Sequence, residues 1–184
     1  MQNSQSLTVT AQGGVLRVLN TICSVSPCFD PLLSQGATIP SFCDFTAIWD
    51  TGASASVINQ KVVEQCNLVP IGMTQVQTAG GLNTVETFMV SFRLPHNVGF
   101  RDVLVTKGDL GSGADILIGM DIITTGDFSI TNKGGITVFS FRTPSLHHVD
   151  YVKEHNEVVQ SAQFKHGGSK AERKKKPKNF GRKK

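Results

Sequence analysis

Short runs of β-branched and apolar residues, broken by glycine and proline, dominate the pattern from Val15 to Phe141. VLRVLNTICSV (15–25) reads as a strand or hairpin arm, and DFTAIW (44–49) as a second strand. Between them, SPCFDPLLSQGATIPS (26–41) holds three prolines and a glycine, which suits a long connection. Asn59 is a candidate N-cap for a short helix over KVVEQCNL (61–68). TQVQTAGGLNTVETFMVSFRL (74–94) contains two strand-like runs about Ala79-Gly80-Gly81-Leu82, the pattern of a hairpin whose tip needs positive φ. FRDVLVT (100–106) predicts another strand. ADILIGMDII (114–123) is an apolar run interrupted by a glycine and Asp121. FSITNKGGITVFSF (128–141) predicts a hairpin about Lys133-Gly134-Gly135. Residues 145–164 carry Leu146, Val149, Val152 and Val159 roughly on one stripe, which predicts a final helix. The fold class is therefore mostly β, closed or sandwich-like, with little helix.

The chain of 184 residues, 39% of them hydrophobic, suits one compact domain plus tails. Residues 1–14 read as a disordered lead-in, 15–142 as the domain, 143–168 as a helix and linker, and 169–184 as a disordered tail. No apolar stretch approaches the roughly 20 residues of a membrane span. The opening MQNSQSLTVTAQGG lacks the basic start and apolar core of a signal peptide, so a soluble, cytoplasmic protein is expected. Four cysteines form no CxxC pair and show no zinc-finger spacing, which favours free thiols in a reducing compartment over a metal site. The net charge of +4 hides an asymmetry. SKAERKKKPKNFGRKK (169–184) carries nine basic residues against Glu172, whereas the rest of the chain holds nine basic and thirteen acidic residues.

Candidate chemistry centres on FTAIWDTGASASVI (45–58), where Asp50 follows an apolar strand and precedes a Thr-Gly turn. A buried, unpartnered carboxylate costs several kcal/mol, so the acid either faces water or belongs to a site built around it. Asp-Thr-Gly alone is also an ordinary turn. The ordered set IWDTGAS, TAGG and ILIGMD is more specific, and with it residues 15–142 resemble the retropepsin-like aspartic proteases. Peptide hydrolysis needs an activated water and a proton donor for the leaving amine. Two carboxylates sharing one proton serve both needs, the established pattern for aspartic proteases. Only one such acid is present here, because no second DTG or DSG occurs and 184 residues are few for two lobes. The resemblance thus implies a closed acid-protease barrel with one or two short helices, acting as a symmetric homodimer in which each subunit contributes Asp50.

The resemblance also implies roles by position. Asp50 is catalytic, and Thr51, Gly52 and Ala53 complete the active-site loop, with Thr51 bonding across the dimer axis. Thr78, Ala79, Gly80, Gly81 and Leu82 form a flap that closes over a peptide or protein substrate. Ile116, Leu117, Ile118 and Gly119 pack beside the loop, and Asp121 accepts structural hydrogen bonds near it. Ile48, Ile58, Leu82 and Ile118 suggest apolar subsites. Viral members commonly carry an acid and an arginine where this chain has Ser54 and Met120, which looks closer to cellular and bacterial relatives. No cofactor or metal is implied.

Other residues have plainer readings. His147 and His148 lie in a polar stretch and read as exposed, His96 has no partner by spacing, and Ser54 lacks a nucleophile-elbow context. Cys66 reads as a buried filler. The basic tail reads as a solvated end, with non-specific nucleic-acid or other polyanion binding as the sharper alternative and membrane-surface attachment as a third. A retropepsin-fold module that dimerises and binds peptide or nucleic acid without cutting is the rival to an enzyme.

Overall fold

The computed structural model describes residues 4–29, 40–78 and 80–171. Its strands and helices follow in the order β1 (Gln5–Thr10), β2 (Asn20–Pro27), β3 (Cys43–Trp49), β4 (Val57–Ile58), α1 (Gln60–Gln65), β5 (Gly72–Thr78), β6 (Gly81–Leu94), β7 (Val98–Lys107), β8 (Ile116–Ile118), α2 (Met120–Ile123), β9 (Asp127–Thr131), β10 (Val138–Thr143) and α3 (Tyr151–Ala171). They divide into two units, residues 1–146 and 147–184.

In the first unit, strands run β2-β3-β8-β4-β7-β6, and β2 pairs again with β6 through Ser24↔Arg93 and Val25↔Phe92. These six strands therefore close on themselves, and closure removes free edges that an open sheet would expose. β5 lies outside this ring, paired with β6. Alternation fills the interior: Phe45, Ala47 and Trp49 of β3 are buried, as are Cys23 and Val25 of β2. β6 contributes Phe88, Val90, Phe92 and Leu94 to the same core. Asn59 caps α1 as its sequence predicts, its side chain accepting the Val62 N–H at 3.1 Å.

A second sheet, β1-β10-β9, joins the ring through aromatic packing. Trp49 stacks on Phe128 with centroids 5.5 Å apart and meets Phe141 at 5.2 Å and Phe139 at 5.9 Å. Its indole N–H donates to Thr21 Oγ1 at 3.1 Å, so the ring is fixed in orientation as well as position. At the foot of this sheet Asp127 accepts from the Ser145 hydroxyl, the Arg142 guanidinium and the Leu146 N–H. Together they hold its carboxyl well below the usual range.

Several expectations are corrected. Within the lead-in expected to be disordered, Gln5–Thr10 pairs along its whole length with β10, from Gln5↔Thr143 to Thr10↔Val138. Only Leu7 and Val9 of this strand turn inward, a period-2 signal too sparse to stand out in a polar segment. Val15 and Val18 are exposed, and the next strand begins at Asn20. The first unit also runs past residue 142, because β10 ends at Thr143 and the Asp127 cluster draws in Ser145 and Leu146. In the second unit α3 starts at Tyr151, so Leu146 and Val149 precede it, and Val152 and Val159 are exposed. The apolar residues of this helix form no stripe. Most of the 26–41 connection and residues 172–184 of the tail lie outside the described residues. Among the described residues no helix is long and apolar enough to cross a membrane.

The aromatic junction generates a prediction. Phe141 is fully buried and packs on both Trp49 and Phe100. Phe141→Ala should cost about 3–5 kcal/mol in urea unfolding, the range for emptying a large aromatic site. A loss under about 1 kcal/mol would mean the second sheet is not fastened there.

Candidate active site

Asp50 follows β3 directly, and the parallel pairing of β3 with β8 sets Trp49 beside Ile118. The Asp50 N–H donates to the Ile118 carbonyl at 2.9 Å, so β8 fixes where the strand ends and the loop begins. The loop then folds back on its own acid. The Gly52 N–H donates to Asp50 Oδ1 at 2.8 Å, and the Ala53 N–H donates to the Asp50 carbonyl at 3.3 Å. Asp50 itself is half-buried, whereas Thr51 and Gly52 are exposed.

The far side of the loop is clasped by the turn between β8 and α2. The Met120 N–H donates to the Ala53 carbonyl at 2.8 Å. Asp121 accepts the Ser56 N–H at 3.0 Å on one carboxylate oxygen and the Ser56 hydroxyl at 2.8 Å on the other. The Ser56 hydroxyl in turn accepts the Gly119 N–H at 3.1 Å. Gly119 has no room for a side chain, since a Cβ there would stand 2.7 Å from the Ala55 backbone. A glycine is thus needed to let the two backbones approach, and the serine closes the gap with hydrogen bonds.

A second network ties α1 to the same strands. Asp115 accepts from Lys61 Nζ at 3.0 Å, the Thr46 N–H at 3.2 Å and Asn59 Nδ2 at 3.2 Å. Partial burial works to raise its carboxyl, but Lys61, the Thr46 N–H and Asn59 outweigh that and leave it below its ordinary value.

Grooves open on both sides of the loop. One of about 530 Å³ runs from residues 52–55 to Val57, Val76, Asn83, Val85 and Lys107. The other, about 350 Å³, brings Asp50 and Thr51 together with Ile48, Leu16, Phe128 and Ile130. The glycine-tipped hairpin of β5 and β6 borders the first, with Thr78 paired to Gly81 and Gly81 at φ +113°. Residue 79 lies outside the described residues, so of the five flap positions Ala79 receives no placement, and Thr78 only its backbone.

The apolar subsite expectation needs correcting. Ile58 and Ile118 are fully buried and serve the core, so they line no groove. Leu82 is not among the residues that line the groove with Asn83 and Val85, and it is 61% exposed. Ile48 does line the groove beside Asp50. Ile116 is core, Leu117 is half-buried, and Gly119 and Asp121 lie at the clasp. Sequence reasoning does not single out Ser56, Val76, Asn83, Val85 or Lys107. The alternation of Val76 on β5 and Val85 on β6 carries a usable signal; Lys107, ion-paired to Glu86 across β7 and β6, carries none.

Cys66 is buried, and burial with the neighbouring Cys43 pushes its thiol up to about 12, so it is protonated and unreactive at neutral pH. Among the described residues no cluster of His, Cys, Asp or Glu is arranged to hold a metal.

Comparison with known proteins bears on this loop. Residues 37–122, which contain the whole Asp50 loop and its clasp, match the family described as aspartyl protease. The chain is similar to the retropepsin-like aspartic protease from Rickettsia conorii, with a TM-score of 0.44 and 11% identity over 78% of this chain and 98% of that one. It is also similar to the protease of simian foamy virus (TM-score 0.36, 15% identity, 57% and 91% of the two chains). A further likeness is to the retroviral protease-like domain of Ddi1 from Leishmania major (TM-score 0.37, 18% identity, 62% and 82%). No curated protein matches the sequence.

The clasp of this loop makes a prediction. Asp121→Ala would leave the buried Ser56 hydroxyl and its N–H without their acceptor. Unfolding free energy should fall by about 1–3 kcal/mol. An unchanged midpoint in urea would show that the loop does not depend on this carboxylate.

Proposed function

We propose that this protein is an aspartic endopeptidase that hydrolyses peptide bonds as a homodimer. The observation that carries the reading is Asp50 itself. It is a half-buried carboxylate held by the Gly52 N–H on a clasped loop, between two grooves, inside the segment that matches the aspartyl protease family. One chain supplies one such loop, and its exposed Thr51 and Gly52 leave a face on which a second copy can set its own. Two Asp50 carboxylates brought together would share a proton. The ionised one draws a proton from water as it attacks the peptide carbonyl, and the protonated one supplies a proton toward the leaving amine. Thr51 would bond across the twofold axis and stiffen both loops.

An extended peptide would lie in the groove beside the β5–β6 hairpin, with Val57, Val76 and Val85 presenting apolar walls and Asn83 and Lys107 polar contacts. Closure of the hairpin about Gly80 and Gly81 would exclude water. The cysteines form no disulfide among the described residues, which suits a reducing, cytoplasmic setting. The basic tail would add non-specific polyanion contacts weakened by salt, without taking part in cleavage.

Cleavage of a mixed peptide library from about pH 4 to 7 tests this directly. Wild-type protein should cut, and Asp50→Asn should lose cleavage while keeping its melting temperature. Cleavage retained in Asp50→Asn would refute the mechanism. No cleavage by either would favour a non-catalytic peptide-binding module.

A further inference from the structure

Another pocket, of about 320 Å³, lies on the first unit and shares no lining residue with the grooves beside Asp50. Its origin is a bulge. Val90 pairs with Val103 and Phe92 with Phe100, so β7 carries one more residue than β6 between these pairs. The extra residue is absorbed where Asp102 takes φ +57°. Val90 and Phe92 stay in the core, and alternation leaves Ser91 and Arg93 on the other face of β6. Both line the pocket together with Arg101 of β7.

Three features of this pocket point to a ligand. Ser91 is 2% exposed, and its hydroxyl has no hydrogen-bond partner among the described residues, a state buried polar atoms rarely keep. Arg93 and Arg101 form no ion pair with any described carboxylate, although the chain outside its tail is net acidic. Asp102, next to Arg101, instead accepts the Cys28 thiol at 2.6 Å. Half-buried Phe29, Phe42 and Phe100 supply flat apolar walls. The Arg93 guanidinium stands over the Phe42 ring, 4.4 Å from its centroid. A guanidinium held by its face against a ring is oriented, and its in-plane N–H fork stays available to an anion.

Two guanidinium forks and a hydroxyl donor suit a tetrahedral, multiply charged oxyanion, and the phenyl rings suit a planar base. The volume falls at the lower end of the range for small-molecule sites. We propose that this pocket binds a nucleoside monophosphate, with the phosphate between Arg93, Arg101 and Ser91 and the base against the phenylalanine rings. The site is independent of the protease reading, because Asp50 takes no part in it.

Calorimetric titration of the full chain with adenosine 5′-monophosphate, adenosine and inorganic phosphate tests the assignment. AMP should bind saturably, and Arg93→Ala and Arg101→Ala should each weaken it by at least about tenfold, the loss of one charge-assisted contact. Adenosine and inorganic phosphate should each bind more weakly than AMP. Ser91→Ala should lower AMP affinity while leaving the melting temperature unchanged or higher, since it removes an orphan hydroxyl. Asp50→Asn should bind AMP as the wild type does. The basic tail is present in every variant, so its contribution cancels, and circular dichroism melts show whether each variant is folded. Absence of saturable AMP binding to wild type overturns the proposal. So does undiminished binding in any folded variant of Arg93, Arg101 or Ser91, or either fragment alone matching AMP.

Discussion

The hydrogen bond from the Asp50 N–H to the Ile118 carbonyl is the constraint on which the candidate site depends. It joins the end of one parallel strand to the end of another, so the acid emerges where the sheet stops and cannot drift along the strand. Everything downstream reinforces that point. Met120 grips Ala53, Asp121 grips Ser56, and Gly119 allows the backbones to come close enough for both. A carboxylate on a loose loop would sample many positions, whereas catalytic groups need a geometry fixed to a fraction of an ångström.

The rigidity has a wider base. Trp49 immediately precedes Asp50 and is itself locked by stacking on Phe128 and by a hydrogen bond to Thr21. The second sheet therefore buttresses the residue that carries the acid. β1 is part of that buttress, since it pairs with β10, the strand of Phe139 and Phe141. The amino-terminal strand thus bears on the site through the aromatic junction. By contrast the β5–β6 hairpin reaches beyond the ring, with β5 at the end of the strand order.

How much of this is legible in the sequence varies with the range of the interactions. The strand into Asp50, the Asn59 cap and the glycine-tipped hairpin can be read because each is set by neighbours within a few residues. Ser56 cannot, because it stands 65 positions from Asp121 and nothing local marks a serine as buried. β1 is hidden for a similar reason. Its polar residues gain a strand conformation by pairing with β10, and Thr8 stands 132 positions from its partner Ser140. Ile58 and Ile118 pass for subsite walls in sequence, where apolar residues near a loop look alike. Strand alternation in the folded chain turns both to the core.

Whether two chains together form one catalytic centre can be read from a mixing experiment. Wild-type protein is combined with increasing Asp50→Asn chain at constant total concentration, allowed to exchange subunits, and assayed for peptide cleavage. If each centre needs an Asp50 from both chains, activity falls with roughly the square of the wild-type fraction, because mixed dimers are dead. Activity that stays proportional to the wild-type fraction while mixed dimers demonstrably form would mean that a single Asp50 suffices, and the shared-carboxylate account would be wrong.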